Sequence, residues 1–187
     1  HVLACPNCGR ENPDDASFCM ACATPLTPAT PAREVRKTVT VLFCDLVGST
    51  SLGESTDPEA LRARLGRYFE DLRAILERHG GTVEKFVGDA VMAVFGIPVA
   101  HEDDALRAVR AATEMQRRLA HLNAELLEAW GVELTCRIGI NTGEVVLRSI
   151  RKDDLHADYV PVGHSTNLAA RMEQLANPGT IVVSAYT

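Results

Sequence analysis

The sequence has no surplus of positive charge: 19 Lys and Arg stand against 25 Asp and Glu, for a formal net charge of −6. Proteins that grip nucleic-acid phosphates usually show the opposite balance, so nucleic acid is not an expected partner. Long apolar runs are missing as well. "VMAVFGIPVA", the longest, is too short to cross a bilayer and contains Gly96 and Pro98, so no membrane span is expected in this stretch. No basic start followed by an apolar run opens the chain, so no secretory signal is legible. Cysteine is scarce beyond residue 22: only Cys44 and Cys136 lie there, each alone in an apolar context that fits an inert core thiol. The other four crowd the first 22 residues. That usage points to a reducing, cytoplasmic setting, where clustered thiols serve a metal better than a disulfide framework. Histidines do not gather at ligand spacing, and no internal repeat is visible.

The chain has 187 residues, 46% of them hydrophobic, which is enough for one ordinary domain with a small appendage and argues against wholesale disorder. The first residue is His rather than Met, so residues ahead of it are expected to have been removed or left out.

The appendage is residues 1–26. "CPNCGRENPDDASFCMAC" holds two Cys-x-x-Cys knuckles, Cys5/Cys8 and Cys19/Cys22, separated by a polar loop. Two knuckles complete a closed tetrahedral site for a structural Zn²⁺, and binding worth on the order of 10 kcal/mol can fold a segment that has almost no core. The rival reading is a redox pair in each knuckle. The segment is similar to the small zinc ribbons found at the ends of many bacterial proteins. Residues 27–37, within "TPLTPATPAREVRK", form a semi-extended linker.

From Thr38 to residue 187 the texture is that of a folded α+β domain. "TVTVLFCDL" reads as a buried strand. Leu61, Leu65, Phe69, Leu72 and Leu76 recur at helical spacing ahead of Gly80 and Gly81. "TVEKF" and "AVMAVFG" form a hairpin turning at "VGD". A long helix with an acidic first turn follows, its apolar stripe running through Leu106, Val109, Met115, Leu119, Leu122 and Leu126. "VELTCRIGIN" and "EVVLRSI" read as strands around Thr142-Gly143, then "STNLAARMEQLA" as a helix capped by Ser165, then "TIVVSA" as a strand. "RKDDLHADY" reads as an exposed charged loop. The order is ferredoxin-like, βαββαβ.

Two charges interrupt the hairpin, Lys85 and Asp89, only four residues apart. Asp45 likewise ends an apolar strand and is followed by "LVGSTS". A small-residue turn leading toward a helix offers backbone N–H groups to a phosphate. In a βαββαβ sheet the strand carrying Asp45 neighbours the hairpin, so Asp45 and Asp89 converge. Hard oxygen ligands there call for Mg²⁺ or Mn²⁺, and two such ions roughly 4 Å apart activate a hydroxyl and neutralise a leaving phosphate. The plainer account makes Asp45 a turn cap and Asp89 an ordinary hairpin residue. On the following helix Asn167 and Arg171 share a face, suited to orienting a sugar and stabilising charge on a phosphoryl group. The plainer account there is a solvated face with Glu173 as a partner.

"VTVLFCDLVGSTSL", "EKFVGDAVMAVFG", "RIGINTGEVV" and "VGHSTNLAARME" together resemble the successive motifs of class III nucleotidyl cyclase catalytic domains, from about Thr38 to Ala185. The resemblance implies conversion of ATP to 3′,5′-cyclic AMP and pyrophosphate, with two Mg²⁺ or Mn²⁺ ions held by Asp45 and Asp89. It implies a phosphate cradle in the backbone of Leu46, Val47, Gly48, Ser49 and Thr50, adenine recognition by Lys85, ribose positioning by Asn167, and stabilisation of the pentavalent phosphorus by Arg171. It further implies a homodimer, one chain supplying the aspartates and its partner Lys85, Asn167 and Arg171. A cation at Lys85 favours adenine over guanine. Val160 departs from the pattern, standing where a second base reader is usually Asp or Thr, and His164 replaces a short acidic or amide residue. The family domain usually continues past "TIVVSAYT" to a phosphate-contacting Lys, so the stretch is expected to be C-terminally incomplete, with a fused downstream regulatory region a possible partner. Two other readings stand beside this one: a cyclase-like regulatory module that binds nucleotide or a partner without turnover, and a ribbon that binds nucleic acid, which the acidic balance opposes.

Overall fold

The computed structural model describes residues 2–13, 15–26, 34–48, 57–149 and 159–187. Ser49, Thr50 and the charged stretch 151–158 lie outside the described residues. The chain divides into two compact units, His1–Arg33 and Glu34–Thr187. In the first, β1 (Val2–Ala4) pairs antiparallel with β2 (Glu11–Pro13).

The second unit runs β3 (Glu34–Val47), α1 (Pro58–Arg78), β4 (Gly81–Val87), β5 (Ala90–Phe95), α2 (Asp104–Trp130), β6 (Thr135–Ser149), β7 (Tyr159–Val162), α3 (His164–Leu175) and β8 (Ile181–Val183). The sheet order is β4-β5-β3-β6-β7, with β8 added parallel to β6. This is the expected α+β arrangement. β3 begins at Glu34 rather than Thr38, because Glu34–Lys37 pair with Val145–Arg148 of β6.

Successive strand residues face opposite sides, and that alternation sorts the core. Leu42, Cys44, Leu46, Val91, Ala93, Cys136, Ile138 and Ile140 pack against α1 and α2, where Tyr68, Leu72, Leu76, Met115, Leu122 and Leu126 are buried. Val39, Val41, Met92, Val94, Val145 and Leu147 point to the other face and gather around Ala169 of α3. Each buried Val, Leu, Ile or Met among them stabilises the fold by about 1.5–3 kcal/mol.

Local signals explain the helix limits. Asp57 caps α1, its carboxylate accepting from the Glu59 N–H at 3.1 Å, and Pro58 occupies the first turn, where its missing N–H costs nothing. The expected α2 stripe holds at Met115, Leu119, Leu122 and Leu126, with Val109 partly buried, but Leu106 is exposed, and Ala108, Ala111 and Ala112 complete the buried face. Small residues let α2 approach the strands closely there. The expected interruption at Thr142-Gly143 does not occur. β6 is one continuous 15-residue strand. Gly139 and Gly143 lie on its α3-facing side, where a methyl would overlap the backbone of Ala169 and Glu173 or the hydroxyl of Ser165. The two glycines form a track for the helix, not a turn. Ser165 is not the cap either. Gly163 holds that position, and Ser165 is buried against the track, its carbonyl accepting from Asn141 Nδ2 at 3.0 Å.

Candidate functional site

Asp45 sits near the end of β3 on the face that carries Val41 and Phe43. Its register partner on β5 is Ala90, so Asp89 in the preceding turn stands beside it. The turn is two residues, Gly88-Asp89, and Gly88 adopts φ +64, a conformation glycine reaches without strain. The register therefore places the Asp89 backbone one residue along from the partner of Asp45, in the hairpin turn that adjoins β3. Lys85 is exposed and pairs with Met92, itself opposite Phe43, which puts Lys85 on the same face as Asp45 in the adjacent row.

Of the expected phosphate cradle, Leu46 is buried with its side chain in the core, Val47 is half-buried, and Gly48 is exposed at φ +94. Val160 lies in β7 opposite Arg148. Asn167 and Arg171 are exposed on α3, and their side chains make no hydrogen bond or ion pair with any described residue. The buried face of the same helix carries Ser165, Ala169, Met172 and Glu173.

The residues overlooked in the sequence are Arg137 and Glu173 as a pair. Arg137 is the β6 register partner of Asp45, and its Nη2 donates to Asp45 Oδ2 at 2.8 Å. Its Nε lies 3.2 Å from Glu173 Oε1. Glu173 is thus buried against the sheet and not a surface partner of Asn167 or Arg171. Burial pushes the Glu173 carboxyl above its usual range, opposed by the Arg137 charge and reinforced by the Asp45 charge. The hydrogen bond to Asp45 raises Arg137. A signal was available: in "TCRIGI" Arg137 is a lone charge on the strand face opposite Cys136 and Ile138.

Does the site suit a divalent cation? A guanidinium already sits against Asp45, whose side chain is 24% exposed, so the carboxylate is turned toward a position where positive charge is favourable. Asp45 on β3 and Asp89 in the adjoining hairpin turn are carboxylates, the hard oxygen donors that Mg²⁺ and Mn²⁺ prefer.

In the first unit Cys5, Cys8, Cys19 and Cys22 place their sulfurs within 4.8 Å of one another. The edge of a tetrahedron with Zn–S of 2.3 Å is about 3.8 Å, and the pairs Cys5–Cys22 and Cys8–Cys19 stand at 3.5 and 3.6 Å. Both knuckles use one backbone device. The Gly9 N–H donates to the Cys5 carbonyl and the Ala23 N–H to the Cys19 carbonyl, each at 2.9 Å, and both donors have positive φ. The Ala21 N–H, 3.4 Å from Cys19 Sγ, favours the thiolate and lowers that thiol. The Thr24 hydroxyl and amide pull Cys22 down to about 6. The donor set fits zinc.

Residues 32–187 match the adenylate and guanylate cyclase catalytic domain, and residues 5–26 match a zinc-ribbon domain. The chain belongs to the class III cyclase family and carries a zinc ribbon at its N-terminal side. It is 33% identical over 138 residues to a protein named adenylate cyclase 1 of Rhizobium meliloti, covering 74% of this chain and 21% of that one. The adenylyl cyclase CyaB of P. aeruginosa superposes with a TM-score of 0.73 at 36% identity, over 82% of this chain and 79% of that one. The guanylyl cyclase Cya2 does so with a TM-score of 0.71 at 38% identity, over 81% and 76%. The chain spans about a quarter of the length of the curated relatives it matches, 21% and 26% for two of them. No helix among the described residues is long and apolar enough to cross a membrane.

Proposed function

We infer that the Glu34–Thr187 unit is the catalytic domain of an adenylyl cyclase, converting ATP to 3′,5′-cyclic AMP and pyrophosphate between two copies of the chain. The observation that supports this is the register of Asp45 with Ala90, the residue after Asp89, at the sheet end that leads into the "LVGSTS" segment. Asp45 and Asp89 would hold the metal. Bound Mg²⁺ or Mn²⁺, two per site, supplies the Lewis acidity that activates the ribose 3′-hydroxyl and neutralises the departing pyrophosphate. The backbone amides from Leu46 to Thr50 bind the β and γ phosphates. Asn167 orients the ribose so that its 3′-oxygen attacks the α-phosphorus in line with the bond to the β-phosphate, which breaks. Arg171 stabilises the negative charge that develops on the phosphorus.

Lys85 donates to a ring nitrogen of adenine, an atom that bears a hydrogen in guanine, and this favours ATP. Val160 adds no hydrogen bond to the base through its side chain. The outward placement of Asn167 and Arg171, whose side chains have no partner among the described residues, supports a second copy as the bearer of the other half of the site. The ribbon's four sulfurs would hold a structural Zn²⁺.

Incubating the protein with ATP or GTP and Mn²⁺, with products separated by chromatography, tests the reading. Cyclic AMP from ATP in excess of cyclic GMP from GTP is expected, and neither from Asp45→Ala. Mixing inactive Asp45→Ala with inactive Arg171→Ala should restore product, since one shared site would then be intact. A second reading, a regulatory module that binds nucleotide without turnover, is favoured by the Arg137 guanidinium on Asp45. Under it nucleotide binds, no cyclic product forms, and the mixture stays silent.

A further inference from the structure

Arg137 is shared unequally between two carboxylates. Toward Asp45 it makes a well-formed hydrogen bond of 2.8 Å. Toward Glu173 it stands at 3.2 Å, yet Arg137 Nε and Glu173 Oε1 are both buried and neither has a hydrogen-bond partner. The Glu173 side chain is only 10% exposed and is held at the sheet by the contact of its own backbone with Gly139. A carboxyl oxygen is therefore kept dry, close to a guanidinium, without a formed hydrogen bond. Burying such a group without a full partner is costly, so a closer Arg137–Glu173 contact would be favourable. The completing group is already present: a small rotation of Arg137 away from Asp45 would make the missing bond.

We propose that Glu173 is a positioning residue that draws Arg137 off Asp45 when a divalent cation binds there, so that Arg137 is an internal competitor of the metal and Glu173 sets the strength of that competition. The proposal rests on the assignment of Asp45 as a metal ligand. In the metal-free protein Arg137 neutralises Asp45, which prevents bare carboxylates from crowding at the sheet end. As the cation takes Asp45, the guanidinium turns to Glu173, and the buried pair gains the hydrogen bond it lacks. Glu173 and the exposed residues Asn167 and Arg171 share α3, so the exchange also braces the helix that presents them.

The test is Mn²⁺ binding to the full chain without nucleotide, read from the electron paramagnetic resonance signal of free Mn²⁺, with folding checked by circular dichroism. Glu173→Gln leaves Arg137 with Asp45 alone and is expected to weaken Mn²⁺ binding about tenfold, the scale of one charge-assisted hydrogen bond. Arg137→Gln removes the competitor and is expected to tighten binding. The double variant should bind like Arg137→Gln alone. A merely structural Glu173 would instead weaken binding by the same factor with or without Arg137, and that outcome overturns the proposal, as does Mn²⁺ affinity unchanged in Arg137→Gln. If Glu173→Gln fails to fold, Arg137→Gln still tests the competition without altering α3. Asp45→Asn separates the two levels: unchanged Mn²⁺ binding in that variant overturns the metal assignment itself. Binding that follows the expected pattern without any cyclic product upholds the exchange and removes only the catalytic reading.

Discussion

The two units of the chain reach a fold by opposite means. In the ribbon the fully buried residues are Cys5, Cys19 and Asn12, while Phe18 and Met20 point outward at 61% and 77% exposure. Its strands are three residues long. In the cyclase unit Tyr68, Phe95 and thirteen Leu, Ile and Val side chains fill the space between sheet and helices, and among the described residues most charged groups lie outside that core, Asp104 and Glu173 being buried. One unit has sulfur where the other has hydrocarbon. A fold organised by ligands depends on what it binds; a fold organised by burial keeps its shape and can leave reactive groups at its edge.

That contrast is sharpest on metal removal. Chelation of Zn²⁺, or Cys19→Ser, should remove a contribution on the order of 10 kcal/mol from the ribbon and leave it without fixed structure, while the cyclase unit melts as before. Calorimetry on treated and untreated protein checks it, and a single joint shift of both units would break the comparison. Next in size is Leu72→Ala. Leu72 is buried between α1 and the sheet, and its truncation should lower the stability of the cyclase unit by about 2–5 kcal/mol in a urea titration. Ribbon metal content should not change.

Gly139→Ala is expected to cost about 1–3 kcal/mol, because the added methyl meets helix backbone that must shift as a body. Since α3 also bears Asn167 and Arg171, nucleotide affinity should fall along with the thermal midpoint, and a loss of stability alone would weaken the reading of that helix. The smallest effect runs the other way. Ala23 holds φ +56 at the position its twin knuckle gives to Gly9. Ala23→Gly should relieve about 1 kcal/mol of backbone strain and slow the release of Zn²⁺ to a competing chelator, with no change in the cyclase unit.

Much of this was legible in the residues. The knuckle spacing fixed the sulfur cluster, the Gly88-Asp89 turn fixed the hairpin, and apolar spacing from Leu61 to Leu76 marked α1. These signals are local, and each arises within a few bonds of the atoms it constrains. The failures share a cause. Gly143 read as a break in a strand because glycine loosens a chain in isolation. Against a helix it is instead the residue that permits contact. Leu106 fell outside the buried stripe because Ala108, Ala111 and Ala112 continue the face of Met115, Leu119, Leu122 and Leu126, on the opposite side of α2. The plainer account of α3 made Glu173 a surface partner of its own helix neighbours, while its partner is 36 positions away on a different element.

The sequence by itself determined which atoms were available: four thiols at knuckle spacing, two carboxylates at strand ends, a lysine in the hairpin, an amide and a guanidinium one turn apart. It determined the alternation that sends Cys44 inward and Asp45 outward, because side-chain direction along a strand follows from backbone geometry alone. Only the tertiary structure decided which charges meet. Register placed Arg137 across from Asp45, and the glycine track brought Glu173 down onto the sheet. Electrostatic partnership depends on distance in space, and that distance is set by packing between elements far apart in the chain.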